Sequence, residues 1–197
     1  MITITWIVGV AVLLGAILGW VARYSAQTAR RVEEALPPLG RFIEVDGGRI
    51  HYLDEGAGPA LLLIHGLGGQ MRNFTYSLLE MFKNDYRVVI LDRPGSGYST
   101  RPPEASAAIS AQASTIARFM EALGLARPLV VGHSLGGAIA LALALNHPEK
   151  VGGLALIAPA THAQSRVPAA FRKELARVLT CRALSAALER SRNTSTQ

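Results

Sequence analysis

The stretch at residues 129–144 constrains the fold of this chain more than any other. It reads LVVGHSLGGAIALALA: an apolar β-branched run, a Gly-x-Ser-x-Gly sequence and an Ala/Leu run typical of a helix. The pattern predicts a strand, a sharp turn with Ser134 at its apex, and a helix. Gly132 and Gly136 carry no Cβ, so other parts of the chain can approach the turn closely. Ser134 is therefore a candidate nucleophile; the alternative is a glycine-rich connection with a solvated serine.

The same turn predicts a hydrogen-bond donor beside the serine. Leu135 opens the predicted helix, where backbone N–H groups have no partner within the helix. Its N–H points to the place where negative charge develops on a substrate oxygen during attack by Ser134. Leu135 is thus a candidate for an oxyanion hole through its backbone.

The remaining body of the chain alternates short strands with helices. Glycines 47 and 48 separate two alternating runs that predict an antiparallel hairpin, Arg41–Asp46 and Arg49–Asp54. Runs made up mainly of apolar residues, typical of strands buried on both faces of a parallel sheet, occur at 60–64, 87–91, 129–131 and 153–157. Helical patterns fall near 75–82, at 110–123 and after Ser134. The sequence therefore predicts an α/β fold with six strands, four of them parallel.

Two more glycine-rich loops follow predicted strands, at the sheet edge where α/β proteins place their chemistry. Residues 65–69 read HGLGG and residues 92–99 read DRPGSGYS. The N–H of Leu67 is the natural second oxyanion donor beside that of Leu135. Neither loop fits a phosphate-binding motif, since Met71 stands where a dinucleotide loop needs its third glycine. We expect no nucleotide cofactor.

The three loops together resemble the α/β-hydrolase superfamily over residues 41–162. The likeness is to its cap-bearing branch of esterases, C–C bond hydrolases, cofactor-free haloperoxidases, epoxide hydrolases and haloalkane dehalogenases. The resemblance implies Ser134 as nucleophile, an oxyanion hole from the N–H groups of Leu67 and Leu135, and no cofactor or metal. Because epoxide hydrolases and dehalogenases use an aspartate at this position, Ser134 favours acyl chemistry on esters. The resemblance also implies structural roles for His65 and the Asp92 loop.

An activated serine needs a histidine base and an acid that orients it, and the family places both after the serine. The carboxylates and histidines after Ser134 are Glu149, Glu174, Glu189, His147 and His162. His162 follows the last strand at the correct edge, but no acid accompanies it. We therefore expect a C-terminally truncated hydrolase with an incomplete sheet. The alternatives are a non-catalytic binding protein of the same fold, or a haloperoxidase or C–C hydrolase activity.

The N-terminal segment predicts a membrane anchor. No charged residue occurs from Ile2 to Ala22, and a helix of that length spans about 30 Å, the thickness of the hydrocarbon core. Trp6 and Trp20 lie near its two ends, as interfacial aromatic residues do. A cleaved signal peptide is the alternative, although no basic residue precedes the run. Arginines follow it at 23, 30 and 31, which predicts a cytoplasmic main domain.

Four segments follow from these patterns: an anchor at 1–23, a linker at 24–40, a hydrolase core at 41–162 and a helical, cap-like basic tail at 163–197. The tail carries seven basic and two acidic residues, against 13 and 12 in the rest. Without interleaved aromatic residues this charge predicts a solvated helix face and no nucleic-acid partner. The single cysteine, Cys181, excludes an internal disulfide. The expected partners are a small, apolar ester substrate and a membrane.

Overall fold

A computed structural model describes residues 2–161 of the chain. The predicted tail at 163–197, which includes Cys181, lies outside the described residues, and so does His162 at the end of the predicted core. The described part comprises an N-terminal helix and, as a separate compact unit, the sheet and its helices from Pro38 onward.

The N-terminal helix, α1, runs from Ile2 to Ala35. Its part from Gly9 to Ala35 is long and apolar enough to cross a membrane, with a mean hydropathy of 1.5. A signal sequence near an N-terminus can meet the same criteria of length and composition. Large apolar side chains such as Leu14 and Trp20 are exposed on it, and the Trp20 ring stacks on that of Tyr24. The helix continues through the arginines that follow the uncharged segment.

Six strands form one mixed sheet in the order β1-β2-β4-β3-β5-β6. Their bounds are β1 Arg41–Val45, β2 Gly48–Glu55, β3 Ala60–Ile64, β4 Arg87–Leu91, β5 Leu129–His133 and β6 Gly153–Ile157. The hairpin β1–β2 is antiparallel and β2 pairs antiparallel with β4, whereas β4, β3, β5 and β6 are parallel to one another. The α/β sheet predicted from the sequence is confirmed.

Helices cover both faces of the sheet. Their bounds are α2 Arg72–Phe74, a π-helical turn Thr75–Leu79, α3 Glu80–Phe82, α4 Ile109–Ala122, α5 Leu135–Asn146 and a 3-10 turn Pro148–Lys150. Alternate residues of β3 show why its apolar run is unbroken. Leu62 and Ile64 pack in the core under α4 and α5, while Leu61 and Leu63 pack against the side chains of 71–79. Both faces of the strand are therefore buried.

The strand order decides where the site lies. Because β3 pairs with β4 on one side and β5 on the other, in parallel, the loops after these three strands emerge at the same edge. These are the loops that contain Leu67, Asp92 and Ser134. The fold thus brings the three sequence motifs together.

Candidate active site

Ser134 occupies a strained turn between β5 and α5. Its φ is 52° and its ψ −118°, a conformation that residues with a side chain rarely adopt. Its N–H donates to the carbonyl of Ile157 at 3.0 Å, and its carbonyl accepts from Gly137 at 3.0 Å and Ala160 at 2.9 Å. The surrounding backbone therefore holds the strain in place, as is common where a side chain must be presented for chemistry.

Close approach of the chain explains the glycines around Ser134. A Cβ at Gly136 would overlap the carbonyl oxygen of Ile64, and one at Gly132 would lie 2.6 Å from the carbonyl oxygen of Gly136. No other residue type fits at these two positions without movement of the backbone. The physical reason that the sequence offered for these glycines is confirmed.

The loop after β3 lies directly against Ser134. A Cβ placed on Gly66 would be 2.9 Å from the Cβ of Ser134. The next residue, Leu67, has 55% of its surface exposed. Within residues 2–161 the structure records no acceptor for the N–H of Leu67 or for that of Leu135. The loop and the start of α5 therefore offer two open backbone donors beside the serine.

A buried carboxylate lies behind this open face. Asp92 accepts hydrogen bonds from the ring Nδ1 of His51 at 2.8 Å, the N–H of Met71 at 2.8 Å and the N–H of Tyr98 at 3.0 Å. Burial by itself raises the pKa of Asp92, but the bonds from His51 and the two backbone groups outweigh it, so that its pKa lies below the ordinary value. Asp92 therefore ties three segments of the unit together.

His65 and Arg93 form the second part of the buried polar layer. The N–H of Arg93 donates to Nε2 of His65 at 3.0 Å, and Nδ1 of His65 bonds to the carbonyl of Gly66 at 2.9 Å. Since Nε2 must accept and Nδ1 must donate, the ring is the neutral Nδ1–H tautomer. Burial, and then the charge of Arg93, lowers the pKa of His65 to about 4. Both ring nitrogens of His65 are therefore hydrogen-bonded and the ring is neutral, which is consistent with the structural role expected of it.

No side chain in the described part of the chain is hydrogen-bonded to the hydroxyl of Ser134. His147 and Glu149 lie beyond the far end of α5, whereas Ser134 precedes its first residue. His51 is bonded to Asp92. Of the later candidates, His162, Glu174 and Glu189 lie outside the described residues. The same part of the chain contains no group of three or more His, Cys, Asp or Glu side chains that could hold a metal ion.

Two residues near the site were missed in the sequence. Arg93 is buried, with 4% exposure, and Gln112 on α4 accepts from its Nη1 at 2.8 Å. An arginine in the second position after an apolar strand is a signal, since a buried arginine needs several acceptors and the loop carbonyls of 65 and 66 supply them. Nothing in the pattern of α4 distinguishes Gln112 from a surface residue.

Comparisons with known proteins identify the family of the chain. Residues 59–179 match the family described as alpha/beta hydrolase fold. The chain belongs to that family. It is similar to the dihydrolipoyllysine-residue acetyltransferase component of the acetoin cleaving system of Cupriavidus necator, with 38% identity over 71% of this chain and 37% of that protein. It is also similar to 2-hydroxymuconate semialdehyde hydrolase of Pseudomonas sp. strain CF600, with 38% identity over 63% of this chain and 44% of that one.

Among solved structures, the chain resembles one described as a membrane phospholipase A, a bacterial virulence factor. The TM-score is 0.61 with 36% identity, over 82% of this chain and 54% of that one. The chain spans about half or less of the length of these relatives. The activity of the whole protein is therefore a matter of proposal.

Proposed function

We propose that the chain is a serine hydrolase that cleaves esters through Ser134. The observation that carries the proposal is the strained Ser134 with the open N–H groups of Leu67 and Leu135 beside it. The hydroxyl oxygen attacks the ester carbonyl carbon, and the two N–H groups bind the oxygen that becomes negative. One such donor is typically worth about 3 kcal/mol in the transition state. The bond to the alcohol oxygen breaks, and the alcohol leaves with the proton that the serine gave up to a base. Water then attacks the acyl-serine, which releases the acid and restores the serine hydroxyl.

The proton of the serine must go to a base, and we place that base outside residues 2–161. His162 is the first candidate that the sequence offers. In the sequence His162 follows β6, and β6 pairs with β5, which leads into Ser134. Replacing His162 with alanine tests this assignment. Turnover that survives the replacement unchanged contradicts it.

An acyl substrate is supported by the names of two similar proteins, an acetyltransferase and a phospholipase A. The similarity to the phospholipase A, together with the apolar helix α1, supports a substrate ester that partitions into membranes.

We also propose that α1 is a membrane anchor. Because arginines at 23, 30 and 31 follow its uncharged segment, we propose that the sheet unit is on the cytoplasmic side. The test uses Glu104→Cys in a Cys181→Ser background, since Glu104 is exposed. A membrane-impermeant maleimide labels this cysteine only after the cells are permeabilised; labelling of intact cells contradicts the orientation.

The activity test compares hydrolysis of p-nitrophenyl butyrate by the full chain and by Ser134→Ala in detergent. We expect Ser134-dependent turnover, reduced by at least about 10³-fold in the variant. Ser96→Ala is the matched control, because Ser96 is a partly buried serine in the neighbouring loop after β4. Equal turnover by the wild type and Ser134→Ala contradicts the proposal.

A second reaction is favoured by the 38% identity to 2-hydroxymuconate semialdehyde hydrolase. The same serine and donors can serve cleavage of a carbon–carbon bond beside a carbonyl group. To distinguish ester hydrolysis from carbon–carbon bond cleavage, the chain is incubated with 2-hydroxymuconate semialdehyde and the absorbance of that compound is measured over time. Loss of that compound without hydrolysis of the butyrate ester favours the second reaction.

A further inference from the structure

The peptide unit between Gly66 and Leu67 is bonded on one side and open on the other. Its carbonyl oxygen accepts from Nδ1 of His65 at 2.9 Å, from Nη2 of Arg93 at 3.1 Å and from the N–H of Gly69 at 3.2 Å. Its N–H has no acceptor in the part of the chain that the structure describes. Because a trans peptide is planar, its C=O and N–H point in opposite directions. Whatever fixes the carbonyl therefore aims the N–H of Leu67.

Arg93 differs from the other two donors because it does not belong to the loop. His65 and Gly69 lie in the loop itself and move with it, whereas Arg93 follows β4. Its guanidinium is held in turn, since Nε donates to the carbonyl of His65 at 2.9 Å and Nη1 to Gln112 at 2.8 Å. A planar, buried guanidinium with its donors bonded in this way cannot rotate freely. Arg93 thus fixes the Gly66–Leu67 peptide to the core of the sheet.

We propose that Arg93 is a positioning residue for the oxyanion hole: it aims the N–H of Leu67 at the oxygen of the substrate. This rests on the proposed function of Ser134 and Leu67. The charge of Arg93 also polarises the peptide unit, because a donor on the carbonyl strengthens the N–H on the other side. Loss of Arg93 is therefore expected to reduce stabilisation of the transition state more than it reduces the affinity for substrate.

The first test observes the peptide itself and needs no activity. Glycine labelled with 13C at its carbonyl and leucine labelled with 15N give one NMR correlation for each Gly–Leu pair. The sequence has three such pairs, at 66–67, 124–125 and 153–154. Leu67→Met removes the first signal and so assigns it. In Arg93→Gln we expect the 66–67 signal to move by more than its linewidth while the other two hold their positions.

Arg93→Lys keeps the charge but cannot reach the same acceptors together, so its 66–67 signal is expected between those of the wild type and Arg93→Gln. A 66–67 signal that stays in place in both variants overturns the proposal. Movement of all three signals together also overturns it, because Arg93 then supports the whole unit rather than the loop.

The second test is kinetic and uses the full chain with p-nitrophenyl butyrate. We expect Arg93→Gln to lower kcat by about 10- to 100-fold with KM little changed, as for a misplaced catalytic group. Arg87→Gln is the matched control, since Arg87 on β4 makes a two-point ion pair with Asp54 that does not touch the loop. Equal losses of kcat in both variants contradict a positioning role for Arg93.

The two proposals fail in different ways. Absence of Ser134-dependent turnover in the wild type contradicts the proposed function, and the 66–67 signal then decides alone whether Arg93 orients the peptide. Turnover that depends on Ser134 but is unaffected in Arg93→Gln contradicts the positioning role and leaves the proposed function intact.

Discussion

Two polar regions lie at the same edge of the sheet. The polar groups of one have hydrogen-bond partners, whereas backbone N–H groups of the other have none within residues 2–161. Behind the edge, the Asp92 carboxylate and the Arg93 guanidinium are buried and bonded to several partners each. At the open face, Ser134 is strained and the N–H groups of Leu67 and Leu135 have no acceptor within residues 2–161. Satisfied groups hold a structure together, while groups left open are available to a ligand. The contrast separates the framework of the site from the place of its chemistry.

The largest expected effect tests the framework side. Asp92→Ala leaves His51 and two backbone N–H groups without their acceptor, so we expect a loss of about 4 kcal/mol in the free energy of unfolding. Asp54→Ala is the control, because its ion pair with Arg87 is partly exposed and its loss costs about 1 kcal/mol. Urea unfolding followed by circular dichroism measures both. Equal losses contradict the assignment of Asp92 to the framework.

The second largest expected effect is at the glycines of the turn around Ser134. Gly136→Ala forces a methyl group into the carbonyl of Ile64, and we expect a loss of about 3 kcal/mol in stability. Gly68→Ala is the matched control, because a Cβ there meets nothing within 4 Å and only its positive φ of 69° is strained. It costs about 1 kcal/mol. The same unfolding curves decide, and a Gly136→Ala chain as stable as Gly68→Ala contradicts the close approach.

The pH dependence of stability tests the buried histidine. Because the pKa of His65 falls from its usual 6.5 to about 4 in the folded chain, the unfolded chain binds more protons between these values. Its contribution to stability is complete above pH 6.5 and is lost as the pH falls toward 4, up to about 3 kcal/mol. Unfolding midpoints measured from pH 7 to 4 show this slope. In His65→Gln the slope over this window is expected to flatten, and an unchanged slope shows that it does not originate in His65.

The smallest effect has the opposite sign and belongs to the open face. Ser134→Gly removes the strain of a positive φ, so we expect the chain to gain about 1 kcal/mol of stability while losing activity. Ser96→Gly, in the neighbouring loop, is the comparison. A chain destabilised by Ser134→Gly contradicts the view that strain at this turn is kept for function.

The sequence predicted the framework better than the contacts within it. An unbroken apolar run such as 60–64 indicates a strand buried on both faces of a sheet, and the glycines around Ser134 indicate a turn that other parts of the chain approach closely. The structure has both the sheet and the turn. The Gln112–Arg93–Gly66 connection joins three segments distant in the chain, and no local pattern encodes such a contact. The sequence also did not identify the histidine base and the acid that would activate Ser134. Within residues 2–161 no histidine is hydrogen-bonded to its hydroxyl. The role of Ser134 itself stays a prediction.

The reactivity of Ser134 is the central claim, and labelling with a fluorophosphonate probe tests it most directly. The probe reacts with a serine that is both nucleophilic and placed beside an oxyanion hole. Mass spectrometry of the digested, folded full chain identifies the labelled residue. We predict a label on Ser134 that is absent from Ser134→Ala and retained in Ser96→Ala. A folded chain that takes no label, or takes it at another serine such as Ser99, contradicts the claim.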